Sequence, residues 1–203
     1  MFATRSQSPR RRIAALVAVP LALLGATAMP AQAAAGRGPA SLTCQGRGVD
    51  PAAEARHRAE IFIQAPLRTV WGLHTDVEGW TSWQKPAAPM TVERLDHGPL
   101  RRGSRFQANI EVPPAKVVIT STVGQRRHGK CVRWTGPADG PGYHIDGVHV
   151  WNFVKVRGGV LVRTEETHRG AQADPNSDMG LETWLHDLKT TAEAVPPVSS
   201  AQW

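Results

Sequence analysis

The strongest constraint on this chain lies near its end. Leu181, Trp184, Leu185, Leu188 and Ala192 recur at helical spacing, and Pro196–Pro197 stop the run. The pattern predicts a helix from about Pro175 to Ala194, capped by Asp174 or Ser177. One apolar stripe of that length must be buried against something broad.

The preceding residues supply a surface for it. Met90–Leu95, Ser104–Val112, Lys116–Val123, Cys131–Thr135, Tyr143–Val156 and Val160–Thr167 read as strands. The breaks between them are Asp96–Pro99, Pro113–Pro114, Arg126–Lys130, the Pro/Gly loop Gly136–Gly142, and Gly158–Gly159. The spacing is that of an antiparallel meander.

The chain enters the meander through Ala59–Trp83. Ala59–Ala65 fits a strand with Ile61 and Ile63 on one face, and Pro66 suits the first turn of a helix. Leu67, Val70, Trp71 and Leu73–His74 continue that helix; Asp76 can cap a second short one carrying Trp80 and Trp83. Strand, two short helices, meander and long helix together describe an α+β, helix-grip architecture: a curved antiparallel sheet wrapped around its C-terminal helix.

The motif Ile63-x-Ala65-Pro66-x-x-x-Val70-Trp71, followed by Asp76-Val77-x-x-Trp80-x-x-Trp83, resembles the opening of the START-like SRPBCC superfamily of polyketide cyclase/dehydrase type. Asp146-x-x-His149-Val150-Trp151-x-Phe153 and Leu181-x-x-Trp184-Leu185-x-x-Leu188 resemble its later strand and last helix. The resemblance covers roughly residues 59–194. It implies the same helix-grip fold and says little about a ligand.

Residues 1–33 read as a cleavable export signal. Arg5, Arg10, Arg11 and Arg12 precede an apolar stretch from Ile13 to Ala28, and Ala31-Gln32-Ala33 is a small-x-small cleavage site. An uncleaved anchor and a twin-arginine signal using Arg11–Arg12 are the alternatives. The expected organisation is signal peptide 1–33, an extended arm 34–57, a START-like domain 58–195 and a tail 196–203. The mature protein is expected to be secreted or in the cell envelope, and not integral to the membrane after cleavage.

The formal charge of +7, less the four leader arginines, leaves +3. The remaining basic clusters, Arg101–Arg102–Arg105 and Arg126–Arg127–His128–Lys130, fall at predicted turns, so nucleic acid is not the expected partner. Two cysteines in an exported chain favour one disulfide, Cys44–Cys131, tying the arm to the sheet.

The longest strand offers the candidate chemistry. Period-2 alternation puts His149, Trp151 and Phe153 on one face, and Val162, Thr164 and Glu166 on one face of the next strand. If both faces point inward, His149 and Glu166 meet across a hairpin; a one-residue shift would instead bring in Glu165. Phe106, Trp134 and Tyr143 complete a prospective wall, with Trp80 and Trp83 near its mouth. Core histidine, solvent glutamate and core tryptophan are the plainer readings of these same residues.

No H-E-x-x-H, no metal-ligand spacing, no G-x-S-x-G elbow and no phosphate-loop context occurs. Neither a metal nor a cofactor is therefore expected. Three functions fit: an exported domain binding a small hydrophobic or amphipathic molecule between sheet and last helix, a cyclase/dehydratase-like enzyme using His149 and Glu166 as acid and base, and an envelope domain with a filled interior. The oligomeric state is not legible.

Overall fold

The alternation of apolar residues becomes a single seven-stranded sheet. In a computed structural model of the chain, which describes residues 40–86 and 88–196, the strands are β1 Ala55–Ile63, β2 Met90–Arg94, β3 Arg105–Val112, β4 Ala115–Arg127, β5 Cys131–Gly140, β6 Tyr143–Val156 and β7 Gly159–Arg169. Their order is β1-β7-β6-β5-β4-β3-β2, antiparallel throughout. Helix α1 (Leu67–Thr75) and a 3-10 turn at Trp80–Ser82 follow β1, and helix α2 (Leu181–Ala194) follows β7. This is the helix-grip α+β fold that the pattern predicts. The expected leader, residues 34–39 of the expected arm and all but Pro196 of the expected tail lie outside the described residues.

Helix α2 buries Leu181, Leu185, Leu188 and Ala192 of the predicted stripe against the curved sheet and α1, while Trp184, the fifth member, is half-buried. Polar contacts fix it along β1. His57 Nε2 meets Glu182 at 2.6 Å, Lys189 Nζ donates to the Phe62 carbonyl, and Glu193 accepts the Gln64 N–H. The core between the layers is aromatic: Trp71, Trp80, Trp83, Phe106, Trp134, Trp151 and Phe153 are all buried.

Several boundaries differ from the sequence reading for local reasons. The long helix starts at Leu181, because Asp174, Ser177 and Asp178 turn back to accept N–H groups of Asn176, Met179 and Gly180. Those side chains cap turns, and Gly180 in the left-handed region begins the helix. Asp76 closes α1 instead of opening a second helix, which shrinks to the 3-10 turn. Strand β4 runs on to Arg127 through a bulge between Val123 and Gln125. The expected Gly136–Gly142 loop is mostly strand. Gly136 lies so close to β4 that a Cβ there would sit 2.0 Å from the Thr120 carbonyl oxygen. Pro137, lacking an N–H, falls in the gap between the Ile119↔Ala138 and Thr122↔Thr135 pairs.

Residues 40–50 lie across the outer face of the sheet. Leu42, Cys44 and Val49 pack on Cys131 and Val150, and Cys44 is disulfide-bonded to Cys131, 87 residues away. Glu165 faces this side. It accepts from Ser41 Oγ, the Leu42 N–H and the Arg56 guanidinium, so the arm covers a carboxylate whose charge is already paired.

Two stability changes are expected in urea titrations of the oxidised protein. Trp151→Ala, which empties a fully buried ring site, loses about 3–5 kcal/mol. Replacing both Cys44 and Cys131 by Ser loses about 4 kcal/mol through the entropy of a chain no longer closed across 87 residues. Wild-type stability in either variant contradicts these roles.

Candidate functional site

Sheet and helix do not meet along their whole length. Beside the first turns of α2 they leave a cavity of about 550 Å³. Its sheet wall comprises Phe106, Ala108 and Ile110 of β3, Ile119 and Ser121 of β4, Trp134 of β5, His149 of β6, and Glu166 and His168 of β7. Leu181, Trp184 and Asp187 of α2 face them, with Lys85, Pro86 and Met90 on one side of the mouth and Asp178–Gly180 on the other. A second space of about 260 Å³ shares the His149, Glu166 and His168 end and reaches Tyr143 and Ile145.

The polar part of the wall is a row across β6 and β7, set by the register His149↔Glu166 and Trp151↔Thr164. His149 Nδ1 lies 3.3 Å from Glu166 Oε2, and its Nε2 lies 2.6 Å from Thr164 Oγ1. His168 Nε2 lies 3.2 Å from the other carboxylate oxygen. A carboxylate only accepts, so the neutral His149 tautomer that suits this site has its proton on Nδ1, and Nε2 accepts the Thr164 hydroxyl. Burial pushes the His149 pKa below its ordinary value although Glu166 pulls it up. Burial alone would raise the Glu166 carboxyl, but His149 and His168 together hold it below the usual carboxylate range. At neutral pH the row is therefore a carboxylate against a neutral His149.

Behind it lies a second histidine that alternation does not reveal. His74 of α1 is fully buried, its ring 4.4 Å from that of Trp151, 5.1 Å from Phe153 and stacked on Trp134 at 5.5 Å. Neither ring nitrogen has a hydrogen-bond partner among the described residues. Burial, reinforced by His149, drives its pKa well below the ordinary imidazole value.

The structure brings five of the sequence candidates, Trp80, Phe106, Trp134, His149 and Glu166, into the main cavity wall, and Tyr143 into the smaller space. Trp83 and Trp151 are not in the lining. Trp83 packs edge-on to Trp184, and Trp151 is sealed behind His74 and His149. Sequence reasoning missed His168, Ser121, Gln84 and Asp187. His168 alone carried a signal, lying two residues past Glu166 on the same strand face. Among the described residues no group of three His, Cys, Asp or Glu is arranged to hold a metal.

A family model described as polyketide cyclase/dehydrase and lipid transport matches residues 54–195. Among solved structures, a protein of Chromobacterium violaceum is 17% identical, aligned over 69% of this chain and 98% of its own, with a TM-score of 0.57. A hypothetical protein of Helicobacter pylori is 18% identical over 70% and 90%, with a TM-score of 0.56. A START superfamily protein of Mycobacterium smegmatis is 13% identical over 68% and 97%, with a TM-score of 0.53. At these identities the likeness is one of fold. No curated protein matches the chain significantly.

The buried histidines make stability depend on pH. In the unfolded chain both titrate near 6.5, whereas their folded values are lower. Below about pH 6.5 the unfolded state takes up protons that the folded state refuses. Stability is thus complete above that pH and falls on acidification, by up to about 1.4 kcal/mol per pH unit for each histidine. Denaturant titrations between pH 7.5 and 5 should show this loss, and His74→Phe should remove roughly half of the histidine part. An unchanged slope in that variant would place the His74 proton uptake elsewhere.

Proposed function

The chain belongs to the polyketide cyclase/dehydrase and lipid transport family, and from that premise we propose that it is an exported domain that holds a small hydrophobic or amphipathic molecule between the sheet and α2. The observation that carries this reading is the cavity of about 550 Å³, apolar and aromatic over most of its wall with one polar row at its floor. Sites for small ligands have this composition: an apolar surface for affinity and a few polar groups for orientation.

The contact of His149 with Glu166 at 3.3 Å favours a second reading, an acid–base enzyme of the cyclase or dehydratase type. Two facts weigh against it. Both ring nitrogens of His149 are engaged by neighbours on β7, and both groups are shifted downward, so neither offers a proton at neutral pH.

Export is supported by the arginine-led apolar segment with its Ala31-Gln32-Ala33 site and by the Cys44–Cys131 disulfide, which suits an oxidising compartment. Among the described residues no helix is long and apolar enough to cross a membrane.

Native mass spectrometry of the mature protein, secreted by its own host, should find a stoichiometric small molecule that is lost on denaturation. Ala108→Phe, which projects a ring into the cavity, should abolish that adduct while leaving the circular dichroism spectrum unchanged. An empty wild-type protein that also fails to take up a hydrophobic fluorescent probe overturns the reading.

A further inference from the structure

We propose that the molecule held in this cavity is an organic cation: an apolar body carrying a protonated amine that pairs with Glu166. The inference rests on the cavity-binding reading above and assigns the chemical class of its ligand.

The charge of the cavity runs opposite to that of the chain. Without the four arginines of the expected leader the sequence carries +7 − 4 = +3. The cavity wall carries three carboxylates, Glu166, Asp178 and Asp187, and one ammonium, Lys85, beside the imidazoles of His149 and His168. Two of the carboxylates have structural duties at the mouth: Asp187 accepts the Lys85 backbone N–H, and Asp178 accepts that of Gly180. Glu166 is different. It sits on the cavity floor with its side chain 19% exposed, and its neighbours there are imidazoles. A carboxylate has about four lone-pair positions, of which the two histidines occupy two. The remaining capacity belongs to the cavity. An anion in an apolar space gains most from a cation brought into contact with it. The rings of Trp80, Trp134 and Trp184 around the same space add the π surfaces that favour organic cations over other apolar guests. A fatty acid or phosphorylated lipid would instead bring a further negative charge among three carboxylates.

The test uses the mature exported protein and three probes of equal chain length, decylamine, decanol and decanoate, each below its micelle concentration at pH 7.5, with affinity read from tryptophan fluorescence and calorimetry. Decylamine should bind at least about tenfold more tightly than decanoate, with decanol between them. Glu166→Gln should lower decylamine affinity about tenfold and leave decanol unchanged. The wild-type series decides the matter even if that variant does not fold. Decanoate binding as well as or better than decylamine overturns the cation assignment and leaves the cavity reading standing. Failure of all three probes, together with an empty native protein, overturns both.

Discussion

The structure depends on where α2 is allowed to sit. Its apolar stripe needs the concave face of the sheet, and its polar residues decide which part. Glu182, Lys189 and Glu193 engage β1 and the residue after it, so the helix lies over β1 and against α1. The strands farther along the sheet, β3 to β5, make no comparable contact with the helix. Beside Phe106 and Trp134 they present Ala108, Ser121, Gly136 and Ala138, whose side chains are small, and the space between sheet and helix stays open. The cavity is therefore a consequence of how the helix is tethered as much as of sheet curvature. Residues at its mouth are held by the same helix, through the bond from Lys85 N–H to Asp187.

Two adjacent glutamates show how strand geometry assigns chemistry. Glu165 and Glu166 differ by one step along β7, and one step exchanges the faces of the sheet. Glu165 goes outward, where Arg56 and the arm surround it with donors and cations. Glu166 goes inward, where its partners are imidazoles in an otherwise aromatic wall. The first is a closed ion pair serving stability; the second keeps acceptor capacity open to the cavity.

The outer face is organised separately. A sheet that grips a helix leaves its convex side to solvent, yet Val150 and Cys131 there are buried. The arm covers them, held by the disulfide at one point and by the Arg133 and Asn152 side chains, which bond the carbonyls of Gly48 and Thr43, at others. Cavity and arm thus load opposite faces of β6 and β7, so the strands that carry His149 and Glu166 are restrained from behind.

Much of this was legible in the amino-acid sequence, because it depends on periods of two and 3.6 residues that follow from backbone geometry alone. The stripe on α2, the meander and the inward set His149, Trp151 and Phe153 are all of that kind; the pairing of Cys44 with Cys131 was legible for another reason, because the chain has two cysteines and so one possible pair. What sequence could not supply involves groups that meet through space with no periodic trace. Gln84 and Asp187 reach the cavity only because a loop and a helix converge on it. His74 looks like any helical position until the sheet closes over it. Whether Glu165 or Glu166 faced the cavity turned on a one-residue choice that alternation cannot make without knowing which face is covered, and here both faces are. The boundary of β5 is of the same sort: glycine and proline read as a loop until β4 lies close enough to require a residue without a Cβ. Local pattern determined the elements and their order; packing between distant segments determined which side chains surround the empty space, because desolvation and pairing are properties of the assembled neighbourhood.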